Sequence, residues 1–312
     1  MAKYAVGCII PTFQNKGLLK KHLPAVLDSL PDESILTVIE DAGSDDTAAW
    51  LIKTFSLRAE NIELESTTNA YCADANDLAP DRHVGEIRLG KKQISFQLLQ
   101  TRHNVRFAKS VNGAMLATSA EYVFLCNNDV SPQRDTITVL LKQILEDLSV
   151  FGIGCLEYAS EKLEDPSGKN VLWFERGLFQ HSRAPDQQSG ETAWVSGGSG
   201  LFNRSHWLAL GGFDPTFYPA YWEDIDISYR AKKHGLKVMF TDQTFVIHQH
   251  ESTHKTIFDQ KSMQRTSWQH ARYFTWKHAS LGQKLQFLAW QPFWRAQELR
   301  TLLAIGFNTQ ND

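Results

Sequence analysis

The chain has 312 residues, of which 42% are hydrophobic, and its 35 acidic and 32 basic residues give a net charge of -3. A chain of this size can bury a large core, either as one α/β domain or as one domain with an appendage. Because there is no overall basic field, we expect no nucleic-acid partner. The N-terminal apolar run is interrupted at Pro11, and no later segment approaches the roughly 20 apolar residues of a membrane span. We therefore expect a cytoplasmic protein.

The four cysteines, Cys8, Cys72, Cys126 and Cys155, show no C-x-x-C spacing. Three of them lie in apolar runs of strand character, which favours reduced thiols over a zinc or redox site. We therefore interpret them as thiols of the core.

Apolar runs alternate with helical patterns along the chain, and this alternation predicts a parallel sheet flanked by helices. The runs YAVGCII and ILTVIE are each followed by an amphipathic segment, and the alternation resumes after residue 93. A later strand, EYVFLCNND, ends in Asn127, Asn128 and Asp129. Polar groups at the carboxyl edge of an open α/β sheet lie where ligands of such folds bind.

Two parts of the chain depart from this alternation. Residues 61–93 are polar and weakly periodic, which indicates an insertion or a mobile loop. From residue 256 onwards the pattern is helical and rich in aromatic residues. The sequence therefore predicts a main domain over residues 1–255 and a helical extension over residues 256–312.

Several polar residues at strand ends allow two interpretations. Asp129 could bind a hard cation such as Mg²⁺ or Mn²⁺, and it could equally be a turn aspartate before a helix. Asp41, in EDAGSDD, could bind a ligand or belong to a turn and helix cap. His248 follows an apolar strand, where a histidine is more often structural than a ligand. His250 and His254 follow it, but their spacing is not specific for zinc.

The stretch AYWEDIDISYR places Glu223, Asp224 and Asp226 directly after aromatic residues. Acidic residues at a helix start interact favourably with the helix dipole. A carboxylate held in a fixed position can also serve as a general base. The stretch alone leaves both interpretations open.

The order of these motifs is more specific than any one of them. A strand ending in Pro11-Thr12, an Asp41-x-x-Ser44 turn, N-x-x-F-A-x-x-x-N, NND, a glycine-rich stretch, GGFD, W-E-D-x-D and a histidine after a strand follow one another. Together they resemble the inverting family 2 glycosyltransferases of the GT-A fold, especially the rhamnosyltransferase-like and galactofuranosyltransferase-like members. The resemblance covers roughly residues 4 to 250. It implies a Rossmann-like α/β domain with a mixed, mainly parallel sheet.

The resemblance also implies roles for individual residues. Asp224 matches the catalytic base, while Asp226 caps or orients the helix. Asp129 and His248 match the ligands of Mn²⁺ or Mg²⁺. Asp214, Trp222 and Glu223 are expected on the acceptor side. The nucleotide-sugar site is assigned to Pro11, Thr12, Asp41, Asn104, Arg106, Asn112, Asn127, Asn128, Gly197 and Gly198.

One position departs from the family pattern, because Arg106 stands where the related sequences have glycine. It could contact a phosphate or project into solvent. At Asp41 the family places the carboxylate that reads the base. Since uracil and thymine carry an N3–H donor and cytosine does not, this favours UDP or dTDP donors.

The implied reaction moves a rhamnosyl-, galactosyl- or glucosyl-type sugar to a hydroxyl of a glycan or lipid-linked glycan, in a single displacement with inversion. Such an activity would serve polysaccharide biosynthesis for the cell envelope. The C-terminal helices could contact the inner face of a membrane, pack on the catalytic domain or form a homodimer. The alternatives are a glycoside hydrolase, which also uses two carboxylates, and a glycan-binding or scaffold protein that has lost the chemistry.

Overall fold

The computed structural model describes residues 5–61, 77–79, 81–249 and 260–308. The helices of this part of the chain are α1 (Lys16–Ser29), α2 (Thr47–Phe55), α3 (Arg106–Ala117), α4 (Thr136–Glu146), α5 (Arg204–Ala209), α6 (Glu223–Lys233), α7 (Gln260–His278) and α8 (Leu281–Asn308). The strands are β1 (Val6–Thr12), β2 (Ser34–Glu40), β3 (Arg58–Asn61), β4 (Asp81–Leu89), β5 (Lys92–Gln100), β6 (Tyr122–Leu125), β7 (Val130–Pro132), β8 (Val150–Tyr158), β9 (Asn170–Glu175), β10 (Leu178–Arg183), β11 (Gly190–Glu191), β12 (Leu201–Asn203) and β13 (Lys237–His248).

A mixed sheet forms the centre of the fold. Its order is β11-β13-β8-β12-β6-β1-β2-β5-β4-β3, and β7 pairs with β13. The four central strands β6, β1, β2 and β5 are parallel, and so are β8 and β13. The short strand β12 lies antiparallel between these two groups. This confirms the predicted mixed, mostly parallel sheet, and it brings the carboxyl ends of the central strands to one edge.

Helices cover both faces of this sheet, as the alternating pattern predicts. One apolar core packs α1, α2 and α4 against the sheet, through side chains such as Leu23, Leu51 and Leu140. The other core packs α3, α5 and α6 against the opposite face, with Trp207 fully buried. Among the described residues, Cys8, Cys126 and Cys155 are free thiols buried in the fold, as expected. Cys72 lies outside the described residues.

Within residues 61–93, which the sequence predicts to be an insertion or a mobile loop, residues 81–89 are a strand. These residues form β4, which pairs antiparallel with both β3 and β5. The strand escaped prediction because most of its side chains are exposed or half-buried and Ile87 is its one buried residue. A strand with so little buried surface has no apolar alternation to reveal it. The strand β13 is continuous over Lys237–His248 and has a register shift against β8 between Thr241 and Phe245.

The predicted helical extension is confirmed over α7 and α8. A third apolar cluster joins both helices to the hairpin of β9 and β10 and to the start of α6, and it includes Phe179, Trp222, Phe274 and Trp294. One side of these helices therefore packs on the main domain. Residues 250–259, with His250 and His254, lie outside the described residues, and the boundary at residue 255 stays a prediction.

Candidate active site

The ends of β1, β2 and β6 meet at the carboxyl edge of the sheet. The backbone N–H of Asp41 donates to the carbonyl of Thr12 at 2.8 Å. The Asn128 amide donates to Thr12 Oγ1 at 3.0 Å. Pro11 is half-buried beside them. Four residues predicted for the nucleotide-sugar site thus lie together, as expected for neighbouring parallel strands.

The Asp41 carboxylate organises the loop that leads into α3. Its Oδ1 accepts hydrogen bonds from Thr101 Oγ1 and from the backbone N–H of Val105, both at 2.8 Å. Its Oδ2 accepts the backbone N–H of Arg106 at 2.8 Å. A carboxylate offers about four acceptor positions, so one position remains for a ligand. Asp41 therefore holds the first turn of α3.

Arg106 adopts a left-handed backbone conformation, which explains why the related sequences have glycine at this position. Its φ is 69°, in the left-handed region that costs a side chain free energy. Its guanidinium lies 5.7 Å from the centre of the Tyr218 ring, and Nε donates to Tyr218 Oη at 3.3 Å. Asn104 Oδ1 accepts the Arg106 backbone N–H at 3.2 Å. A cavity of about 190 Å³ lies between this turn and the loop carrying Tyr218 and Pro219. Arg106 thus reaches the loop that precedes α6.

Asn112, which is predicted for the nucleotide-sugar site, occupies a buried position in α3. Its side chain is fully buried. Its Nδ2 donates to the Phe213 carbonyl at 2.8 Å, and its Oδ1 accepts the Phe213 backbone N–H at 2.9 Å. A Cβ on Gly212 would lie 2.4 Å from Asn112 Oδ1. The asparagine of this motif therefore fastens the GGFD turn to α3.

Asp214 and Trp222, which are predicted for the acceptor side, are also buried. Asp214 has no exposed surface, and its Oδ2 accepts from Lys277 Nζ at 2.8 Å and from Tyr273 Oη at 3.1 Å. The Trp222 ring packs 5.1 Å from that of Phe274. Both side chains contact residues of α7.

Asp129, His248 and Glu157 form a buried row. His248 Nε2 lies 3.4 Å from Asp129 Oδ1, and Nδ1 lies 3.3 Å from Glu157 Oε2. Burial lowers the pKa of His248, but the two carboxylates outweigh it and raise that pKa to about 10. Burial likewise opposes ionisation of Glu157, yet its hydrogen bonds and the His248 charge lower its pKa to about 2.

Glu157 is a residue that the sequence interpretation missed. It lies near the end of β8, in GCLEY, where its charge was the one available signal. A carboxylate that binds the far nitrogen of a metal-ligating histidine fixes the ring and makes it a better ligand. Glu157 has that relation to His248, and the Ser199 hydroxyl donates to its other oxygen.

The row fits a divalent cation of the hard type. Asp129 supplies a carboxylate oxygen and His248 an imidazole nitrogen, both of which Mn²⁺ accepts. Among the described residues, no group of three or more His, Cys, Asp or Glu is placed to hold a metal ion. With two protein ligands, the other coordination positions of the cation would be free for phosphate oxygens and water.

The stretch 196–199 connects this row to Asp224. The backbone N–H of Asn127 donates to the Gly198 carbonyl at 2.9 Å, and a Cβ on Gly198 would lie 2.5 Å from the Asn127 amide. The Gly197 N–H donates to Asp224 Oδ2 at 3.4 Å. Gly197 and Gly198 therefore lie between Asn127, which is predicted for the nucleotide-sugar site, and Asp224, the predicted base. The absence of a side chain at Gly198 allows its close packing against Asn127.

Asp224 stands half-buried in the first turn of α6. Its Oδ1 accepts the backbone N–H of Ile225 at 2.8 Å. Burial raises the pKa of Asp224 to about 6 against these hydrogen bonds, and the charge of Glu157 adds to the rise. A base with a pKa in this range is ionised at neutral pH and still accepts a proton readily. Burial, together with the charge of Asp224, raises the pKa of the neighbouring Glu223 well above its usual range.

Asp226, in contrast, belongs to a buried ion cluster. It has no exposed surface, and it accepts from Arg230, Lys277 and His278 at 2.7 Å each. Burial opposes its ionisation, but these three partners lower its pKa to about 2. This supports the prediction that Asp226 orients the helix, and it adds that the partners include two residues of α7. The opening carboxylates of α6 therefore have separate roles.

Solved glycosyltransferase structures share this architecture. Mannosyltransferase PcManGT from Pyrobaculum calidifontis, in complex with GDP-Man and Mn²⁺, has a TM-score of 0.58 and 15% identity over 97% of this chain and 74% of that one. GalNAc-T7 with UDP, GalNAc and Mn²⁺ has a TM-score of 0.56 and 13% identity, over 79% of this chain and 44% of that one. S. aureus TarS with UDP-GlcNAc has a TM-score of 0.56 and 10% identity, over 91% of this chain and 71% of that one. No curated protein matches the chain.

These likenesses define the fold as that of the GT-A glycosyltransferases. The family model described as Glycosyltransferase like family 2 matches residues 70–271, which is more than half of the chain. The chain belongs to this family.

Proposed function

We propose that this protein transfers a sugar from a UDP- or dTDP-sugar to a hydroxyl group of a glycan or lipid-linked glycan, with inversion at the anomeric carbon. The observation that carries the proposal is Asp224, a half-buried carboxylate with a pKa raised to about 6. It is joined through the stretch 196–199 to the strand ends at Asn127 and Glu157.

In the proposed reaction, Asp224 accepts the proton of the acceptor hydroxyl while that oxygen attacks the anomeric carbon. The bond from the anomeric carbon to the nucleotide diphosphate breaks in the same step, which inverts the configuration. The backbone N–H groups of Gly197 and Ile225 keep the carboxylate oriented toward the junction of the subsites. Asp129 and His248 would hold Mn²⁺ or Mg²⁺, which would stabilise the charge of the leaving diphosphate.

The metal site gives a testable prediction. We expect Asp129→Ala to abolish the gain in UDP affinity that Mn²⁺ provides, because the variant removes a cation ligand. Glu157→Gln should lower Mn²⁺ affinity by about 10- to 100-fold, since the His248 ring loses its orienting carboxylate. Isothermal titration of UDP with and without Mn²⁺ measures both effects.

The control for this experiment is Asp147→Ala, which removes an exposed carboxylate paired with Lys237 at 2.6 Å. It should leave the Mn²⁺-dependent affinity unchanged. If Asp129→Ala still binds UDP more tightly with Mn²⁺ than without it, Asp129 is not a ligand.

A second prediction concerns the base of the donor. We expect the protein to prefer UDP and dTDP to CDP, because the remaining acceptor position of Asp41 suits an N3–H donor. Asp41→Ala should narrow this preference and also destabilise the fold by about 1–3 kcal/mol, since the N–H groups of Val105 and Arg106 lose their acceptor. Competition binding of the three diphosphates, beside thermal unfolding, separates the two effects. Equal affinity of the wild type for all three would refute the assignment.

The sugar and the acceptor are open within this proposal. The neighbouring structures carry GalNAc, GDP-mannose or UDP-GlcNAc, while the motif resemblance favours a rhamnosyl-, galactosyl- or glucosyl-type donor. A role in cell-envelope polysaccharide synthesis at the inner face of a membrane would follow from a lipid-linked acceptor. The decisive experiment is a screen of sugar nucleotides for multiple turnover with Mn²⁺. Release of nucleotide diphosphate from one donor supports the proposal, and binding without turnover supports the scaffold alternative.

A glycoside hydrolase is less consistent with the site. Such enzymes place two carboxylates on opposite sides of the bond that breaks, about 5 Å or more apart. Here Glu223 is buried next to Asp224. Glu157 faces His248, and Asp226 belongs to the ion cluster with Lys277. None of these three carboxylates is therefore placed opposite Asp224 across a bound sugar.

A further inference from the structure

The outer side of α8 carries a continuous apolar stripe. Its members recur every three or four residues, so they lie on one face of the helix. Four leucines dominate it, with exposed fractions of 78% at Leu281, 63% at Leu285, 56% at Leu288 and 58% at Leu299. The exposed residues Pro292 and Ala296 lie between them. The stripe spans about 27 Å along the helix axis.

The opposite side of α8 is fixed to the protein. Trp294 is buried and its Nε1 donates to the Arg176 carbonyl at 2.7 Å. Arg272 of α7 pairs with Glu298 at 2.6 Å. The leucine stripe therefore stays exposed because the helix is already docked on its other face, and a rotation cannot bury it.

Most charged residues of α8 are basic. The basic residues of α8 are Lys284, Arg295 and Arg300, and its one acidic residue, Glu298, is engaged by Arg272. At the α7 end, Lys284 Nζ lies 5.0 Å from the centre of the half-exposed Trp276 ring. Exposed leucines with cations and a tryptophan at the edge are the composition of a helix that lies in an anionic membrane interface.

We propose that this face of α8 docks on the surface of an anionic lipid bilayer, with the helix parallel to the membrane plane. Among the described residues, no helix combines the length and apolar character needed to cross a bilayer. A symmetric contact with a second copy is less favourable, because it would bring the basic residues of one α8 against those of the other. The proposal goes beyond sugar transfer and does not depend on it.

The test is cosedimentation of the full chain with phosphatidylcholine vesicles, with and without phosphatidylglycerol. We expect the wild type to bind the anionic vesicles and to lose affinity as salt is added. The double variant Leu285→Asp/Leu288→Asp should bind at least about tenfold more weakly, because two exposed apolar side chains leave the interface. Arg295→Gln should cost about fivefold on anionic vesicles, the effect of one cation near such a surface.

The control is Leu148→Asp, at a leucine that is also 63% exposed but lies outside α8. It should bind like the wild type, and circular dichroism should show all variants folded. Equal binding of the wild type and the double leucine variant would overturn the proposal. So would a wild type that ignores anionic vesicles and instead forms a dimer that the leucine variant dissociates. The leucine variants should keep wild-type turnover with a soluble acceptor, so loss of vesicle binding leaves the proposed transfer reaction standing.

Discussion

Asp224→Asn should lower sugar transfer by about 100- to 10,000-fold, the usual contribution of a positioned general base. Asparagine keeps the size of the side chain, and its one amide oxygen can still accept the N–H of Ile225, which lies 2.8 Å from Asp224 Oδ1. Its amide nitrogen replaces the oxygen that accepts the longer bond of 3.4 Å from Gly197. It cannot take up the proton of the acceptor hydroxyl. The measurements are turnover of the donor found in the sugar-nucleotide screen and affinity for its nucleotide with Mn²⁺, and the affinity should remain near the wild-type value.

The matched control is Asp226→Asn, two residues along the same helix turn. Asp226 is buried among Arg230, Lys277 and His278. This variant should therefore lower the free energy of unfolding. Its turnover should fall much less than that of Asp224→Asn, and only through a displacement of α6. A folded Asp226→Asn protein without turnover, beside an active Asp224→Asn protein, would assign the base to Asp226 instead.

Lys277→Met should destabilise the protein by about 3 kcal/mol or more, because breaking a buried ion pair leaves uncompensated charge. Lys277 lies between two carboxylates without exposed surface, at 2.8 Å from Asp214 and 2.7 Å from Asp226. Methionine keeps the length of the apolar stem and removes the cation. The free energy of unfolding in urea measures the effect.

The matched control for Lys277 is Lys237→Met, which breaks another lysine–aspartate pair of 2.6 Å in which both side chains are exposed. Exposed pairs contribute about 0–1 kcal/mol, so the loss of stability should be small. Equal losses in the two variants would mean that α7 does not hold α6 through this cluster.

The sequence predicts the fold through features that are local. The strands β1, β2 and β6 are short apolar runs, and their polar ends at Thr12, Asp41 and Asn128 follow from chain order alone. The strand β4 could not be found in this way, because its stability comes from backbone pairing with β3 and β5 and not from an apolar face. Its hydrogen bonds leave no periodicity in the sequence.

The contacts of several predicted site residues join distant segments of the chain, and the sequence does not show them. Asp214 and Asp226 meet Lys277 from α7, more than fifty residues along the chain, and Asn112 meets Phe213 about a hundred residues away. A carboxylate or amide in a motif looks the same whether it faces a ligand or a buried partner. Glu157 was missed for the related reason that its partner His248 lies on the neighbouring strand β13.

The most direct test of the central claim, that Asp224 is the catalytic base, is the dependence of donor turnover on pH. Only the ionised carboxylate can accept a proton, and the pKa of Asp224 is raised to about 6. Turnover of the wild type should therefore be constant above this pH and fall about tenfold per unit below it. The residual turnover of Asp224→Asn should lack this acidic limb when both proteins are saturated with donor and Mn²⁺ at each pH. An acidic limb that persists unchanged in the variant would show that another group accepts the proton.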